Sequence, residues 1–375
     1  MKKEQLQVGI IGMGGIARNY HLPSYRRSGN AEIAAVCDVS ETALEQMQEQ
    51  YEIKHCYRDY HTMLRKEELD IVSICTTNDM HYPIAMEAMR RGIDVFCEKP
   101  LALTHAQARK MYRTAQDRDI KTGVNFSHRR TPAAQLANEL VSSGALGDIY
   151  YVAAIYAAGS TEYARRPWTW RNDQSRAEFG GLGDMGSHII DMVLWWLGCD
   201  VDSVAANMQT FVPERISQHT GETMPVTTED QGMLLLNYSN GAMGYVCGSY
   251  TFTGRGFDQR VEIYGSDGGL MYDQQHPYEL QVHLPSEMLK KYTVLREGGT
   301  RDRPYTTILV PERLQGLADD GGRKGRTVLM DYLDAYRSEE PFGFSPGFYE
   351  GMRVQEILEA SREAASSRRW VGLPL

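Results

Sequence analysis

The chain has 375 residues, which is too long for one ordinary hydrophobic core and predicts two domains. Hydrophobic residues make up 42% of the chain and charged residues 24%, so the composition excludes a wholly disordered or collagen-like protein. The formal net charge of −9 disfavours general binding to nucleic acids and to anionic membranes, because both carry negative charge.

The sequence shows no membrane-spanning or secretory segment, since a transmembrane helix needs about 18 or more consecutive apolar residues. The most apolar helical stretch, residues 189–197, is short and contains Asp191. The six cysteines form no C-x-x-C pair, which favours buried thiols over disulfides. We therefore expect a cytoplasmic protein.

The first 125 residues alternate short β-branched runs with helical patterns, which is typical of βαβ units. The runs are apolar at consecutive positions, so they predict a parallel sheet covered by helices on both faces. The predicted strands are 7–11, 33–37, 71–75, 94–97 and 122–125. The predicted helices are 41–51 with Ser40 as its N-cap, 84–90, and a segment from the N-cap Thr104 towards Gln116.

A glycine-rich turn follows the first predicted strand directly, with the sequence Gly12-Met13-Gly14-Gly15-Ile16-Ala17. Gly12 permits a tight turn, Gly14 lets the backbone approach a pyrophosphate, and Ala17 lets the next helix pack closely on the strand. The N-terminus of that helix can then bind phosphate oxygens. We expect residues 12–16 to bind a dinucleotide. The alternative is a glycine turn that holds no ligand.

Asp38 ends the second predicted strand, about 20 residues after the glycine turn, where a carboxylate accepts hydrogen bonds from an adenosine ribose. A carboxylate at this place also repels a 2′-phosphate. The sequence therefore predicts NAD and makes NADP the less favoured cofactor, although a nearby arginine would reverse the preference.

Glu98, Lys99 and Pro100 follow the fourth predicted strand, at the sheet edge where ligands of parallel α/β proteins gather. Lys99 is placed to present a cationic donor to a substrate oxygen, and Glu98 is placed to bind the nicotinamide ribose. The proline after Lys99 is a position at which a cis peptide bond occurs. The alternative is an ordinary charged turn.

The pattern changes after Phe126 to a helix over 132–142 and then to alternating strands. A strand is predicted over 149–156, and residues 231–238 and 242–250 form a hairpin through Asn240-Gly241. This half of the chain reads as an α+β domain with an antiparallel sheet. Residues 318–326 read as an exposed loop, and 347–367 have helical periodicity.

The segment 163–173 is rich in aromatic residues and arginines. The indole of Trp170 is suited to cover the apolar face of a sugar ring, while Arg171 and Asp173 hydrogen-bond its hydroxyl groups. One alternative is a stacking platform for single-stranded nucleic acid, which the acidic chain disfavours. The other is packing at a domain or subunit interface.

A glycine-rich approach over 180–186 leads into a predicted helix that carries Asp184, His188 and Asp191 at i, i+4 and i+7, on one face. A histidine is suited to remove a hydroxyl proton, and a carboxylate one turn away orients it. Two alternatives remain at this point: a divalent metal site on these three residues, or a capped helix whose histidine is satisfied by Asp184.

Together these segments resemble the Gfo/Idh/MocA oxidoreductases, which include glucose-fructose oxidoreductase and inositol dehydrogenases. The resemblance covers nearly the whole chain, and its order of motifs is specific although no single motif is. It rests on the glycine turn, Asp38, the run Ile74 to His81, Glu98-Lys99-Pro100, Arg129 with Pro132, and Asp184 with His188. The family commonly has proline before the asparagine, where this chain has Thr77; this departure affects the loop near the nicotinamide but removes no chemical group.

The resemblance implies a Rossmann domain followed by an α/β domain with an open sheet, an NAD(P) cofactor, and a sugar or polyol substrate. It implies catalytic roles for Lys99, Asp184 and His188, which also contact the substrate. Its further cofactor contacts fall on Thr76, Asn78, His81, Glu98, Lys99 and Arg129.

These observations predict an N-terminal doubly wound Rossmann domain over 1–125, an α+β substrate and oligomerisation domain with a large open sheet over 126–345, and a C-terminal helix over 346–375 that packs back towards the first domain. We expect an NAD-dependent dehydrogenase that acts on a secondary hydroxyl of a cyclic polyol or sugar, without a metal, and forms a homodimer or homotetramer. Lys99 and His188 are expected to meet over the same face of the nicotinamide. The alternative is a non-catalytic dinucleotide sensor.

Overall fold

The computed structural model describes residues 5–298, 305–315, 326–338 and 342–375. The predicted loop over 318–326 lies outside these residues, apart from Arg326. The chain forms two compact units: unit 1 comprises Met1–Ser127 and Asp319–Gln355, and unit 2 comprises His128–Ala318 and Glu356–Leu375.

The elements of the described chain are numbered in chain order. The strands are β1 Leu6–Ile11, β2 Ala31–Cys37, β3 His55–Tyr57, β4 Ile71–Ile74, β5 Asp94–Cys97, β6 Thr122–Val124, β7 Ile149–Ala157, β8 Val201–Gln209, β9 Glu214–Ile216, β10 Thr223–Pro225, β11 Gln231–Tyr238, β12 Met243–Ser249, β13 Asp258–Gly265, β14 Gly269–Asp273, β15 Glu279–His283, β16 Val294–Arg296, β17 Thr306–Leu309 and β18 Val371–Gly372. The helices are α1 Leu22–Ser28, α2 Glu41–Tyr51, α3 Tyr60–Lys66, α4 Asn78–Arg90, α5 His105–Asp117, α6 Pro132–Ser142, α7 Gln174–Ala177, α8 Ser187–Leu197, α9 Ser286–Leu289, α10 Glu312–Gln315, α11 Val328–Arg337 and α12 Phe348–Ser367.

Unit 1 contains a six-stranded sheet in the order β3-β2-β1-β4-β5-β6. The pairings are parallel throughout, so the predicted doubly wound sheet is confirmed. β4 and β5 are buried at every residue, as continuous apolar runs require when helices cover both faces. The carboxyl ends of β1, β2, β4 and β5 carry the predicted cofactor residues of this unit.

Two predicted N-caps of unit 1 are confirmed, and one predicted helix start is wrong. The hydroxyl of Ser40 accepts the N–H of Ala43, and that of Thr104 accepts the N–H of Gln107. Helix α4 begins at Asn78 and not at residue 84. Pro83 therefore lies inside the helix, where it removes one backbone hydrogen bond without ending the helix.

Segment 326–338 packs with unit 1. The predicted division of the chain at residues 125 and 345 instead placed this segment in the second domain. Leu329 and Tyr332 of α11 are fully buried in the cluster that includes Ile10 and Phe96. The hydroxyl of Tyr332 donates to the carbonyl of Lys121 at 3.0 Å. The apolar face of α11 thus has its partner in this core.

The first turns of α12 also belong to unit 1. A Cβ at Gly351 would stand 2.8 Å from a side-chain atom of Leu101, so the helix approaches that segment closely. The side-chain amide of Gln355 donates to the carbonyl of Leu103 at 2.7 Å.

Unit 2 contains a ten-stranded sheet in the order β16-β17-β15-β14-β13-β7-β12-β11-β8-β18. β12 pairs with β7 in parallel and the other pairs are antiparallel, so the predicted open, mostly antiparallel sheet is confirmed. The predicted hairpin joins β11 to β12, with Gly241 at φ +87° in its turn. β9 and β10 form a separate two-stranded sheet.

One face of the large sheet is buried and the other is exposed. Along β11, Leu234 and Leu236 are buried whereas Met233 and Leu235 are exposed, as the period of two residues dictates. Trp196 of α8 lies on the buried side and meets the ring of Tyr272 edge-on, with centroids 5.6 Å apart.

All six cysteines are free thiols, and burial raises the pKa of Cys75 and Cys97 well above the usual thiol value. Within the described residues, no helix combines the length and apolar character that crossing a membrane requires.

Candidate functional site

The glycine turn of unit 1 has the backbone geometry that a dinucleotide site requires. Gly12 has φ +90°, and a Cβ there would stand 2.7 Å from the carbonyl carbon of Cys75, so only glycine fits. A Cβ at Gly14 would meet no atom within 4 Å, which leaves its backbone accessible. Ala17 is fully buried where the following helix meets the sheet. Each small residue thus occupies the place that the sequence predicts for it.

The carboxylate of Asp38 lies beside this turn. It accepts the backbone N–H of Met13 at 2.6 Å and that of Ser40 at 2.8 Å. Met13 is buried, so it presents its backbone to the site, while Ile16 is exposed. The two backbone bonds fix the carboxylate at the edge of the glycine turn and leave it capacity to accept from ribose hydroxyl groups. These residues fit an NAD molecule.

The loop after β4 is joined to the Lys99-Pro100 turn by a buried histidine. His81 is within 2.9 Å of the carbonyl oxygen of Pro100 through Nδ1 and within 3.3 Å of that of Thr76 through Nε2. Burial lowers the pKa of His81, even though both carbonyls favour the protonated ring. His81 therefore holds two loops together. Its predicted contact with the cofactor, like those of Thr76 and Asn78, stays a prediction.

Glu98 is a buried carboxylate held by a set of hydrogen bonds. Its Oε1 accepts from the Nε2 of His21 and from the Nδ2 of Asn125, both at 2.7 Å. Burial opposes ionisation, but the bonds from His21 and Asn125 and the nearby Lys99 hold the pKa of Glu98 below its usual value. The peptide bond between Lys99 and Pro100 is cis. Glu98 is thus an anion that fixes the backbone from which Lys99 projects.

His21 was not predicted from the sequence. Its Nδ1 lies 2.8 Å from the Oγ of Ser73, which in turn lies 3.0 Å from the hydroxyl of Tyr25. The signal for it was its position one helical turn after Ala17, on the face that packs on the sheet. A buried polar chain therefore runs from Tyr25 through Ser73 and His21 to Glu98.

Unit 2 places Asp184 in a polar group with residues distant in sequence. Asp184 lies in a π-helical turn, Leu182–Gly186, that leads directly into α8. Its Oδ2 accepts the hydroxyl of Tyr250 at 2.9 Å and lies 3.6 Å from the Nε of Arg171. Burial and the charge of Asp184 raise the pKa of Tyr250 well above its usual value, so the phenol remains a donor.

His188 lies in the first turn of α8 and is buried among rings. Its centroid is 4.2 Å from that of His128 and 6.1 Å from that of Tyr156. The Nδ1 of His128 donates to the amide oxygen of Gln259 at 3.0 Å. These rings restrict the orientation of the His188 imidazole. His128 and Tyr156 were not predicted, because neither lies near His188 in sequence.

Asp191 forms a bidentate ion pair with Arg129. The Nε and the Nη2 of Arg129 donate to its two carboxylate oxygens at 2.7 and 2.6 Å, and both side chains are buried. Across the described residues, no three His, Cys, Asp or Glu side chains cluster as metal ligands. The Asp191 carboxylate is thus engaged in an ion pair with Arg129. The predicted contact of Arg129 with the cofactor stays a prediction.

The residues of the aromatic segment 163–173 differ in whether they contact Asp184. The guanidinium of Arg171 lies over the ring of Trp170 at 4.5 Å and reaches Asp184. Asp173 instead caps the short helix α7, where its Oδ1 accepts the N–H and the hydroxyl of Ser175 at 2.9 and 2.7 Å. The structure therefore brings Arg171, but not Asp173, to the residues around Asp184. The sugar contacts predicted for the segment stay predictions.

Two family models match the chain. The model described as "Oxidoreductase family, NAD-binding Rossmann fold" matches residues 6–126, and the model described as "GFO/IDH/MocA C-terminal domain" matches residues 134–271. Both matches agree with the resemblance inferred from the motifs.

Curated relatives and solved structures extend the similarity to nearly the whole chain. Levoglucosan dehydrogenase of Pseudarthrobacter phenanthrenivorans is 30% identical over 84% of this chain and 83% of its own length. Myo-inositol 2-dehydrogenase of Thermotoga maritima is 26% identical over 88% and 84%. A solved structure of levoglucosan dehydrogenase in complex with NADH and L-sorbose superposes with a TM-score of 0.88 at 27% identity, covering 99% of this chain and 100% of that one. These named relatives are dehydrogenases, so they lend no support to the sensor alternative.

Proposed function

The chain belongs to the GFO/IDH/MocA family of oxidoreductases, and from this premise we propose that it is an NAD-dependent dehydrogenase of a sugar or cyclic polyol. The reaction is hydride transfer between a secondary hydroxyl of the substrate and the nicotinamide. The observation that carries the proposal is the contact of Tyr250 and Arg171 with Asp184, which lies on the turn that leads into His188. It combines a proton acceptor with hydrogen-bonding groups suited to hydroxyls.

NAD fits unit 1 through residues of the glycine turn and Asp38. The backbone of residues 12–16 would hold the pyrophosphate, and the Asp38 carboxylate would accept from the adenosine ribose. The same carboxylate would repel the 2′-phosphate of NADP. Thr76, Asn78, His81, Glu98, Lys99 and Arg129 complete the proposed cofactor contacts.

His188 is the proposed general base. NAD, when bound, would supply the acceptor for the hydride of the substrate carbon. His188 takes the hydroxyl proton as that carbon loses its hydride, so that the alcohol becomes a carbonyl. Asp184 stabilises the positive charge that develops on the His188 ring. Lys99 donates a hydrogen bond to the same substrate oxygen and thereby favours its deprotonation.

Arg171 and Trp170 are the proposed sugar contacts of unit 2. The guanidinium is held by the indole on one side and by the Asp184 carboxylate on the other, which leaves further N–H donors for hydroxyl oxygens. We assign cofactor binding to residues 1–125, and substrate binding and oligomer formation to the stretch of residues 126–345 that forms unit 2. Asp173 is included among the proposed substrate residues.

We also propose a cytoplasmic homodimer or homotetramer. The exposed face of the large sheet carries Tyr151, Met233, Leu235 and Met243 as exposed apolar side chains. Contiguous apolar surface of this kind is typical of an interface, and a second copy of the chain is the proposed occupant. The six free thiols are suited to a reducing compartment.

Spectrophotometric detection of NADH tests the proposed function. The purified protein is incubated with NAD, and in parallel with NADP, on a panel of anhydrosugars, glucosides, aldoses and inositols. We expect NADH formation with at least one member and slower turnover with NADP. Tight NAD binding without turnover on the whole panel would contradict the proposal.

A further inference from the structure

Glu229 is a buried carboxylate that the proposed chemistry does not use, and it contacts the segment leading to Asp184. Its Oε1 accepts the backbone N–H of Gly180 at 2.8 Å and that of Leu182 at 2.9 Å. One oxygen therefore binds two backbone donors where the chain enters the π-helical turn. These donors have no partner within the helix itself, as is usual for the first N–H groups of a helix.

The backbone of the same segment is docked against residues 229 and 230. The N–H of Gly181 donates to the carbonyl of Glu229 at 2.9 Å. A Cβ at Gly180 would stand 2.0 Å from that carbonyl oxygen, and a Cβ at Gly181 would stand 2.4 Å from the carbonyl oxygen of Asp230. Only glycines permit this approach, which explains the glycine pair physically.

The docked segment sets the course of the chain that carries the proposed catalytic groups. The N–H of Asp184 donates to the carbonyl of Gly180 at 2.9 Å, and α8 with His188 follows the π-helical turn without a break. A negative charge at the start of such a helical segment is also stabilised by the helix dipole. A displacement of Gly180 therefore moves Asp184 and His188 together.

We propose that Glu229 is a positioning residue for the dehydrogenase reaction, which holds Asp184 and His188 in register through the backbone of Gly180 and Leu182. This inference rests on the proposed function. Glu229 touches neither substrate nor cofactor in this account. Its charge strengthens this contact, because an ionised carboxylate forms stronger hydrogen bonds to N–H groups than a neutral acceptor does.

Ionisation of the Glu229 carboxyl costs free energy, because the side chain is buried. Burial raises its pKa to about 7, although the bonds from the backbone of residues 180, 182 and 183 favour the anion. Asp184 and the hydroxyl of Tyr250 lie on neighbouring elements, and Asp230 accepts the N–H groups of Phe211 and Val212 at 2.6 and 2.8 Å.

Steady-state kinetics of Glu229→Ala and Glu229→Gln, with the exposed Glu222→Gln as control, test the proposal. We expect Glu229→Ala to lower kcat about 10²-fold, the scale of a misplacement of about 1 Å in an active site. The NADH dissociation constant, measured by titration of protein fluorescence, should stay at the wild-type value, because the proposed cofactor residues lie in other segments. Glu229→Gln retains an acceptor oxygen and should recover kcat to within about tenfold of wild type.

Amide hydrogen exchange provides a readout that does not depend on turnover. Glu229→Ala should speed exchange at Gly180 and Leu182, and Glu229→Gln should restore protection only in part, because its amide oxygen is a weaker acceptor than a carboxylate. Unchanged kcat in a folded Glu229→Ala variant would overturn the proposal, as would a parallel loss of NADH affinity. If Glu229→Ala does not fold, Glu229→Gln decides: wild-type kcat together with wild-type exchange at both amides would overturn the proposed contribution of the charge to positioning. Wild-type protein that turns over no substrate refutes the proposed function alone.

Discussion

The hydroxyl of Tyr250 donates a hydrogen bond of 2.9 Å to the carboxylate of Asp184, although 66 residues separate the two in the chain. This bond occupies one oxygen of Asp184 and holds the carboxylate at the turn before His188. Because burial and the Asp184 charge keep the phenol protonated, the bond persists across the pH range in which a histidine titrates.

Replacement of Tyr250 by phenylalanine tests this relationship. Tyr250→Phe removes the hydroxyl and keeps the ring, so Asp184 loses a neutral donor and orients His188 less well. We expect kcat to fall about tenfold, the equivalent of one hydrogen bond worth roughly 1.4 kcal/mol, with NADH affinity unchanged. Steady-state kinetics beside the exposed Tyr150→Phe measure this. A kcat as high as that of the control would remove Tyr250 from the site.

Replacement of Asp38 by alanine tests the cofactor assignment. The variant loses the carboxylate that accepts from the ribose and repels the 2′-phosphate. We expect NADH binding to weaken about 10- to 100-fold, as expected for loss of roughly 1.5–3 kcal/mol from a charged hydrogen bond, while the preference over NADPH narrows. Calorimetric titration with both cofactors measures the change, and the exposed Glu45→Ala serves as control. If the preference for NADH over NADPH stayed at the wild-type level, a residue other than Asp38 would determine it.

The buried pair of Arg129 and Asp191 is expected to be sensitive to removal of one partner. Arg129→Ala leaves the Asp191 carboxylate buried without its bidentate partner, which typically costs about 3–5 kcal/mol of folding free energy. Denaturant unfolding of Arg129→Ala beside Arg296→Ala, which removes an exposed arginine, measures the difference. Equal midpoints for the two variants would contradict a structural role for the pair.

The raised pKa of Glu229 predicts a pH-dependent difference in stability between wild type and Glu229→Gln. The pKa of Glu229 is about 7 in the folded protein and 4.5 for the carboxyl group in solvent, so the unfolded state ionises first as pH rises. Wild type should therefore lose stability relative to the variant between these two pH values, by on the order of 3 kcal/mol, and lose no more above them. Denaturant unfolding at several pH values measures this, and a constant difference would refute the raised pKa.

Local sequence signals predicted much of the fold. The glycine turn, the caps at Ser40 and Thr104 and the hairpin at Asn240-Gly241 each depend on residues that are close in the chain, and the structure confirms them. The start of α4 was misplaced because Pro83 suggested a boundary, whereas a proline inside a helix is tolerated when packing compensates for the lost bond. The core position of α11 depends on contacts with β-strands far away in sequence.

In the candidate site, too, residues within a local motif could be predicted, and residues brought in by tertiary contacts could not. Asp184 and His188 could be predicted as site residues because they stand one turn apart in a recognisable motif. Tyr250, His128, His21 and Glu229 were not found, because each reaches its partner only through sheet register or helix packing over dozens of residues. Arg171 was assigned to sugar hydroxyls, but its proximity to Asp184 emerged only from the tertiary structure.

The most direct test of the central claim is the turnover of His188→Ala with saturating NAD and the best substrate of the panel, beside the exposed His276→Ala. A general base typically contributes about 10²- to 10⁴-fold to the rate, so we predict a loss of kcat on that scale with NADH affinity unchanged. Turnover of His188→Ala equal to that of the control would contradict the account.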